Sequence, residues 1–320
     1  MRVFVAGATG VIGRPLVRQL IDVGHEVTGI TRSPVRASNL EEAGARAVVC
    51  DALLAEPLAR SVAEAHPEAV IHQLTALPDR FDPRKKHLYE KTNQLRTVGT
   101  RNLLAAAQSA GARRFVSQSI AFAYEPSGTT IKDERDPLFS DAPEPFGSAI
   151  TAVEEMEKAV LDAEGIEGVV LRYGWFHGPG TYFAEDGSMA SDVRRRRYPI
   201  VGDGGGLLSF VHVEDAAAAA VAALERGGPG IYNVVDDEPA PMHEWLPRYA
   251  RALGAKPPRR VPRWLARILA GKMVAEMSTE LRGASNTKAR RELGWRPVWA
   301  RWWEANEPGP CAKRRRTNAR

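Results

Sequence analysis

The sequence predicts an α/β fold built on a doubly wound parallel sheet. Strand-like apolar runs alternate with amphipathic helical patterns through the first half of the chain, and each connection is long enough to hold a crossover helix. The six predicted strands cover residues 2–6, 26–30, 45–50, 69–73, 114–118 and 168–172. With 320 residues, the chain is long enough for one such domain with an attached lobe.

The first strand runs directly into three glycines at a spacing of three residues, and an amphipathic helix predicted over 11–23 follows. The first glycine would turn the chain sharply, the second would let backbone N–H groups approach a phosphate, and the third would let the helix pack closely. The positive end of the helix dipole would face the anion. The pattern predicts a dinucleotide site; the alternative is a glycine-rich turn that serves packing alone. The predicted loop residues are Gly7, Thr9, Gly10, Val11, Ile12 and Gly13.

The rest of the chain continues to alternate between predicted strands and helices, until only helices are predicted near its end. One long helix is predicted over 83–110 and another near 147–164, with irregular stretches at 124–145 and 176–188. A strand at 207–211, an Ala-rich helix at 214–225 and a strand at 230–234 follow, and only helices are predicted beyond Asp236. We expect residues 1–172 to form a dinucleotide-binding domain, and the strand, helix and strand at 207–235 to belong to it as well. We expect residues 173–206 and 236–303 to form a smaller, mostly helical substrate lobe. The ligand crevice should lie between them, at the carboxyl ends of the strands.

The amino-acid composition limits the classes of partner that the protein is expected to bind. The net charge of +5 is local, because residues 309–320 hold five Lys or Arg and no acid while the rest has 39 of each sign. Such an end predicts a basic, disordered tail over 304–320 and no nucleic-acid site. The strongest apolar run, 216–224, is too short to span a bilayer, which favours a cytoplasmic protein without a membrane partner. Cys50 and Cys311 cannot form a disulfide framework, and no residues have metal-ligand spacing.

Further motifs follow the glycines in a fixed order. They lie at 50–52, 72–76, Asn93 with 99–104, 115–119, 171–174, 210–215, 232–234 and 291–297. Together they resemble the extended short-chain dehydrogenase/reductase superfamily, in its NAD(P)-dependent epimerase/dehydratase branch, over nearly all the chain up to Pro297. The resemblance implies a Rossmann fold and a homodimer formed through the helices at 83–110 and 147–164.

The resemblance also implies which residues contact the cofactor. Asp51 and Ala52 would flank the adenine, and Leu74, Thr75 and Ala76 would line the adenosine and phosphates. Near the nicotinamide, the implied residues are Ser117, Ser119, Tyr173, Gly174, Trp175 and Phe176. The residues themselves leave simpler explanations open: Asp51 could cap a helix, and Ser119 could be a satisfied hydroxyl at a strand end.

The end of the second strand bears on the choice between NADP and NAD. An acidic side chain there would accept a hydrogen bond from the ribose 2′-hydroxyl of NAD, whereas this chain has Arg32 between Thr31 and Ser33. A guanidinium can pair with a 2′-phosphate and stack on adenine. The sequence therefore favours NADP (as NADPH), with NAD as the alternative if Arg32 is only an exposed loop residue.

The proton relay typical of the superfamily is missing. No tyrosine in this chain has a lysine four residues later, and aligning Glu157 with the family glutamate places Ala149 and Val153 at the two positions. Another protein group or water would have to move the proton. The candidates are Ser119 with Tyr124, and then His177, which could equally be structural.

These observations predict an NAD(P)-dependent oxidoreductase that acts on a small carbonyl-type metabolite with a non-standard proton relay. The alternatives are a sugar-nucleotide epimerase or dehydratase, and a non-catalytic NADP-binding regulator that senses redox state. Aromatic residues at 175–176 and 182–183 would suit a flat substrate as readily as core packing. The basic run at 194–197 could pair with an anionic substrate, although such runs are more often solvated faces.

Overall fold

A seven-stranded parallel sheet forms the centre of the computed structural model, which describes residues 1–80, 82, 85 and 87–299. Its strands are β1 (Arg2–Ala6), β2 (Glu26–Thr31), β3 (Arg46–Val49), β4 (Ala69–His72), β5 (Arg114–Ile120), β6 (Glu167–Tyr173) and β7 (Gly230–Val234). They lie in the order β7-β6-β5-β4-β1-β2-β3, so the predicted doubly wound sheet is confirmed.

The strand order reverses between β1 and β4, and this reversal fixes where a ligand can enter. Val3 lies beside both Val27 of β2 and Ala69 of β4, so β1 is the central strand from which the chain winds both ways. The helices that follow β1 and β4 leave the sheet on opposite sides, which opens a crevice at the carboxyl ends of these strands. The backbone N–H of Gln73 donates to the carbonyl of Ala6 at 2.8 Å and closes the floor of the crevice.

Helices cover both faces of the sheet. They are α1 (Gly13–Asp22), α2 (Pro34–Glu42), α3 (Ala55–Ala65), α4 (Glu90–Gln94), α5 (Thr100–Ser109), α6 (Phe146–Leu161), α7 (Ser188–Arg194), α8 (Val213–Glu225), α9 (Met242–Ala252), α10 (Arg263–Ala270) and α11 (Lys272–Glu280). On one face α1 packs against α8, whose alanines allow a close approach, and on the other face α3 packs against α5. None of these helices is long and apolar enough to cross a membrane.

The later part of the chain adds a second packed region at the carboxyl edge of the sheet. Trp245 and Tyr249 of α9 pack with Phe183 and Phe210 in a common core. Two-residue and three-residue strands tie the connecting segments together. The pairs are Trp175–His177 with Phe210–His212, Ile200–Val201 with Arg260–Val261, Leu207–Leu208 with Ala240–Pro241, and Ile131–Lys132 with Gly283–Ala284.

Three predicted elements differ from the structure. The helix predicted over 83–110 begins only at Glu90 and includes a π-helical turn, Leu95–Gly99; residues 83, 84 and 86 lie outside the described residues. The strand predicted at 207–211 is two short strands, because the Ser209 carbonyl turns aside to accept the N–H of Trp175 at 2.8 Å. The prediction of helices only beyond Asp236 was wrong, since two-residue strands leave no periodic pattern in a sequence. The tail predicted over 304–320 lies outside the described residues.

Candidate functional site

The glycine turn between β1 and α1 is packed so tightly that side chains are excluded. Gly7 has a φ of +94°, and a Cβ there would lie 2.7 Å from the backbone of Gln73. A Cβ on Gly13 would lie 2.0 Å from the Gly7 carbonyl oxygen, so α1 starts directly against the turn. No side chain caps the start of α1 and its first turn has no acid, which leaves N–H groups for a phosphate. The geometry fits a dinucleotide pyrophosphate.

The carboxyl end of β2 lies beside this turn. The Thr31 hydroxyl accepts from the Ser33 N–H at 3.2 Å and lies 3.5 Å from the Thr9 hydroxyl, which links the strand end to the glycine turn. The Ser33 hydroxyl caps α2 by accepting the N–H of Arg36. Arg32 is exposed between these anchored residues, and within the described chain its guanidinium has no hydrogen bond or ion pair. It is available to an anion at the 2′ position.

The loops after β3 and β4 are held by hydrogen bonds on the same edge. The Asp51 carboxylate accepts from the N–H of Leu53 at 3.0 Å, so it orders the turn before α3, although Leu54 occupies the N-cap position. The Ala52 carbonyl accepts from the Asn102 amide at 3.0 Å. After β4, the N–H of Leu74 donates to His72 Nδ1 at 3.2 Å, that of Ala76 donates to the buried Thr92 hydroxyl at 3.1 Å, and Thr75 is exposed.

A buried polar network occupies the end of β5. The Ser119 hydroxyl donates to Glu157 Oε1 at 2.5 Å, and Arg172 donates to both oxygens of that carboxylate at 2.8 and 2.6 Å. Arg172 also donates to the Tyr124 hydroxyl at 3.0 Å, which in turn donates to Asn233 Oδ1 at 2.7 Å. The network joins β5, α6, β6 and β7, and therefore fixes Ser119 and Tyr124 relative to each other.

Burial and charge set the protonation of this network. Burial raises the pKa of Tyr124 to about 12, and the neighbouring guanidinium of Arg172 only partly opposes it. Although burial opposes the charged form of Arg172, its hydrogen bonds to Glu157 raise its pKa above the ordinary value. At neutral pH Arg172 is therefore charged and the Tyr124 hydroxyl keeps its proton.

The other predicted residues near the nicotinamide lie deeper. The Ser117 hydroxyl donates to the Met156 sulfur at 3.4 Å. The Tyr173 hydroxyl accepts from Gln73 Nε2 and donates to the Ala216 carbonyl, both at 3.3 Å, in the core under α8. Gly174 approaches the Ser209 backbone so closely that a Cβ would lie 2.5 Å from its carbonyl oxygen. The segment predicted to cover the nicotinamide is therefore fixed to the strand beside it.

His177 is buried in the short strand that follows, whereas the sequence placed it in the irregular stretch at 176–188. Its Nε2 lies 3.6 Å from the buried Asp236 carboxylate, and its ring lies 5.0 Å from that of His212. Burial lowers the pKa of His177 to about 3 and raises that of Asp236 well above its ordinary value, so the imidazole is neutral at neutral pH. The catalytic roles of Ser119, Tyr124 and His177 remain predictions.

The positions of the missing relay are filled by the hydrophobic core. Ala149 and Val153 on α6 are fully buried, and Phe146 and Ile150 extend the same apolar face. An alignment shifted by three residues therefore also meets only apolar side chains. None of these four side chains carries a group that could transfer a proton; Glu157, one turn after Val153, is paired with Arg172.

A small cleft of about 20 Å³ with aromatic walls lies beside this face. The Trp175 indole stacks on Phe122 with ring centroids 4.4 Å apart, and Phe122 lies 6.4 Å from Phe146. The lining residues are Phe122, Tyr124, Pro126, Phe139, Pro143, Phe146, Met273, Glu276, Met277, Glu280 and Leu281. The cleft thus lies between the end of β5, the start of α6 and α11. Sequence reasoning found Tyr124 but missed the α11 wall, because nothing in the sequence connects α11 to β5.

The sequence comparisons agree with this geometry. A model of the NAD dependent epimerase/dehydratase family matches residues 3–234. A 3-diazoavenalumate denitrifying reductase of a Streptomyces species is 48% identical over 304 residues, covering 94% of this chain and 98% of the relative. A 2-alkyl-3-oxoalkanoate reductase of Stenotrophomonas maltophilia is 26% identical over 268 residues, covering 80% of this chain and 76% of the relative.

A solved structure shows the same fold. A human epimerase family protein, solved with NADPH, superposes with a TM-score of 0.73 at 23% identity, covering 95% of this chain and 97% of that chain. The likeness covers the sheet and the later helices of the described chain.

Proposed function

The chain belongs to the NAD dependent epimerase/dehydratase family, and we propose that within it this protein uses NADPH to reduce an aromatic diazo compound. The chain is an NAD(P)-dependent oxidoreductase, and its relatives are named as reductases. The sugar-nucleotide epimerase and the non-catalytic regulator are not favoured. The nature of the electrophile and the preference for NADPH are the proposals argued below.

The residues that would hold the cofactor follow the carboxyl edge of the sheet. Gly7, Gly10 and Gly13 would receive the pyrophosphate, and Asp51 with Ala52 and the loop at 74–76 would border the adenosine. The bound nicotinamide would supply a hydride to the substrate. The exposed guanidinium of Arg32 would pair with a 2′-phosphate, which supports NADPH over NADH. Solved structures of the same fold contain NADPH or NAD, so the preference for NADPH is argued from Arg32 alone.

The single observation that carries the choice of substrate is the apolar face of α6. When a hydride adds to a carbonyl, the oxygen gains negative charge and needs a proton from the enzyme or from water. Hydride addition to an arenediazonium ion does not require a proton from the enzyme or from water. The hydride pair forms the new C–H bond, the C–N bonding pair leaves with dinitrogen, and atoms and charge balance without an added proton. A site whose relay positions are Ala149 and Val153 suits this second reaction.

The relative and the cleft support the same substrate class. The Streptomyces relative is named for reducing a diazo compound, and it is 48% identical over nearly its whole length. Phe122 lines the cleft and is stacked on Trp175, so it offers a flat face on which an aromatic substrate could lie. We therefore infer an aromatic diazo acid or phenol as the substrate class.

In this proposal the chain's own residues orient the substrate and exclude water. Phe122, backed by Trp175, would contact the ring of the substrate, while Phe146 and Met277 line the cleft, which must widen from about 20 Å³ to admit the ring. The Ser119–Glu157–Arg172 network ties β5, α6 and β6 together and so holds this wall at a fixed distance from the cofactor edge. The orientation of two reactants in a dry cleft is the main catalytic contribution required of the protein.

The test compares two electrophiles on one aromatic acid. Purified protein is mixed with NADPH and either 4-carboxybenzenediazonium or 4-acetylbenzoate, and products are followed by mass spectrometry. With NADPH deuterated at the transferred position, we expect benzoate that carries one deuterium, together with release of dinitrogen. Turnover of the ketone with none of the diazonium ion would overturn the proposal. A reaction without enzyme serves as the control, because diazonium ions decompose spontaneously.

One observation favours a second candidate, the reduction of a carbonyl compound. Tyr124 lines the cleft, stays protonated at neutral pH and touches Arg172, so it could give a proton to an alkoxide. The oxoalkanoate reductase among the relatives fits this chemistry. In that case the ketone in the test above would be reduced, and Tyr124→Phe would abolish the reaction.

A further inference from the structure

The structure brings two basic segments together on the surface of the later helices, and a row of apolar side chains lies beside them. Residues 245–275 contain eight Lys or Arg and no acid, and residues 194–197 are four consecutive arginines. Ile200 pairs with Arg260 across the short strands, and Arg196 Nε donates to the Pro257 carbonyl at 3.1 Å. Two segments 60 residues apart in sequence therefore form one surface.

Most of the cations on this surface have no acidic partner. Arg194, Arg263 and Lys272 pair with Glu185, Glu280 and Glu276. Six others are exposed and form no ion pair with any described residue. We call this set the basic surface: Arg195, Arg197, Lys256, Arg259, Arg260 and Arg267. Unpaired cations at this density attract an anionic surface.

The helix in the middle of this region turns its apolar side toward solvent. On α10 only Ala266 is buried, while Trp264, Ile268 and Leu269 are 65%, 72% and 65% exposed. Trp264 and Ile268 are four residues apart and lie on one side of the helix, with Arg267 beside them. We call Trp264, Ile268 and Leu269 the apolar stripe. Exposed large side chains clustered in this way mark an interaction site.

We propose that the basic surface and the apolar stripe dock this enzyme on an anionic lipid surface. An interfacial helix inserts Trp and Leu side chains at the level of the headgroups while flanking Lys and Arg contact anionic lipid. Both requirements are met within one short region, whereas the body of the chain has balanced charge. The proposal places the protein on a membrane surface without crossing it, in agreement with the lack of a spanning helix in the part described.

The surface lies next to the substrate cleft. Helix α10 packs against α11, and α11 supplies Met273, Glu276 and Met277 to the wall of the cleft. Docking through α10 would therefore hold the cleft close to the lipid surface. The docking itself does not depend on which substrate the enzyme reduces.

The test is sedimentation of the full chain with vesicles of phosphatidylcholine alone or with one third phosphatidylglycerol. We expect binding to the anionic vesicles at least about tenfold stronger than to the neutral ones. The double variant Arg259→Gln/Arg260→Gln should bind the anionic vesicles about fivefold more weakly for each charge removed. Trp264→Ser with Ile268→Ser should abolish binding. Arg60→Gln, an exposed cation on α3, and Val23→Ser, an exposed apolar residue, are the matched controls and should not change binding.

Several outcomes would overturn the proposal. Equal binding to both vesicle types would show that anionic lipid is not the ligand. Full binding by both double variants would show that the basic end at 309–320, and not the proposed surface, binds the vesicles. If the wild-type chain ignores vesicles but self-associates in sedimentation velocity, and Trp264→Ser makes it monomeric, the stripe is a contact between copies. NADPH binding by each variant, measured by fluorescence, shows that the variant is folded.

Discussion

The two ends of the ligand crevice are built on different principles. At the nucleotide end, around β1 and α1, the backbone is the essential element: Gly7 and Gly13 leave no room for a Cβ. At the reaction end, around β5 and α6, side chains define the site: Ser119, Glu157 and Arg172 form a buried ionic network beside the apolar face of α6. The first end is where we predict that the nucleotide binds, and the second is where we predict that the reaction takes place.

This difference teaches how the chemistry could change within one fold. The backbone turn tolerates little change, because each glycine is in contact with neighbouring backbone atoms. The relay positions on α6 are side chains in a packed core, and such positions accept apolar substitutions when volume is preserved. The cofactor site can thus persist while the group that transfers the proton is lost.

The largest expected effect is on stability at the reaction end. Glu157→Gln removes the charge that pairs with Arg172, whose guanidinium would stay buried without a counter-ion. The loss of one partner of a buried pair costs about 3–5 kcal/mol of unfolding free energy. Urea denaturation followed by circular dichroism measures this. Glu155→Gln, an exposed residue on the same helix whose nearest cation is 4.0 Å away, should change stability by less than about 0.5 kcal/mol. Similar values for both variants would show that the network is not a stabilising element.

The next effect tests the nucleotide end. Gly13→Ala places a Cβ 2.0 Å from the Gly7 carbonyl, so α1 must move away from the turn. We expect a loss of about 1–3 kcal/mol in stability and clearly weaker NADPH binding, because the helix start moves relative to the phosphate. Gly228→Ala is the control, since a Cβ there meets no atom within 4 Å. Fluorescence titration with NADPH measures the binding. Unchanged affinity in Gly13→Ala would mean that the turn serves packing alone.

A smaller and more selective effect is expected at Arg32. Arg32→Asp removes a charge-assisted contact to a 2′-phosphate, and NADPH should bind about 10- to 100-fold more weakly. NADH should be affected much less, because it has no phosphate at that position. Arg60→Asp makes the same charge change on α3 and controls for the nonspecific electrostatic effect of the change in net charge. Equal losses for both cofactors would remove the argument for NADPH.

The nucleotide end could be predicted from the sequence because its signals are local. The glycine spacing, the strand before it and the helix after it occupy adjacent residues, and β1 and β7 have the predicted bounds. Even the reversal of strand order follows from alternating strands and helices. Each of these structural features is determined by residues that are adjacent in the sequence.

The reaction end could be predicted only in part, because its contacts join distant residues. The absence of a tyrosine and lysine pair was visible in the sequence, but the ionic network joins residues of β5, α6 and β6 through side chains alone. The π-helical turn at Leu95–Gly99 and the cleft wall on α11 carry no periodic signal. His177, expected in the irregular stretch at 176–188, is buried because its short strand pairs with Phe210–His212. Tertiary packing decided each of these features.

The smallest expected effect is the most informative about the reaction end. Tyr124→Phe removes a hydroxyl whose pKa is raised to about 12 by burial, so this group does not ionise between pH 6 and 9. If the substrate is a diazo compound, no proton is needed at the reacting atom. The rate of diazonium reduction should then be within about twofold of wild type and flat over this pH range, allowing for repacking at Asn233.

The same variant distinguishes the two reactions when a ketone is supplied. A ketone reduced through Tyr124 should lose about 100-fold or more in rate upon removal of the hydroxyl, because general acid catalysis contributes about that much. Stopped-flow measurement of NADPH oxidation gives both rates on the same protein. A 100-fold loss with the diazonium ion itself would show that Tyr124 takes part in the reaction, and the apolar face of α6 would then not account for the choice of electrophile. Similar stability of Tyr124→Phe and wild type in urea excludes unfolding as the cause.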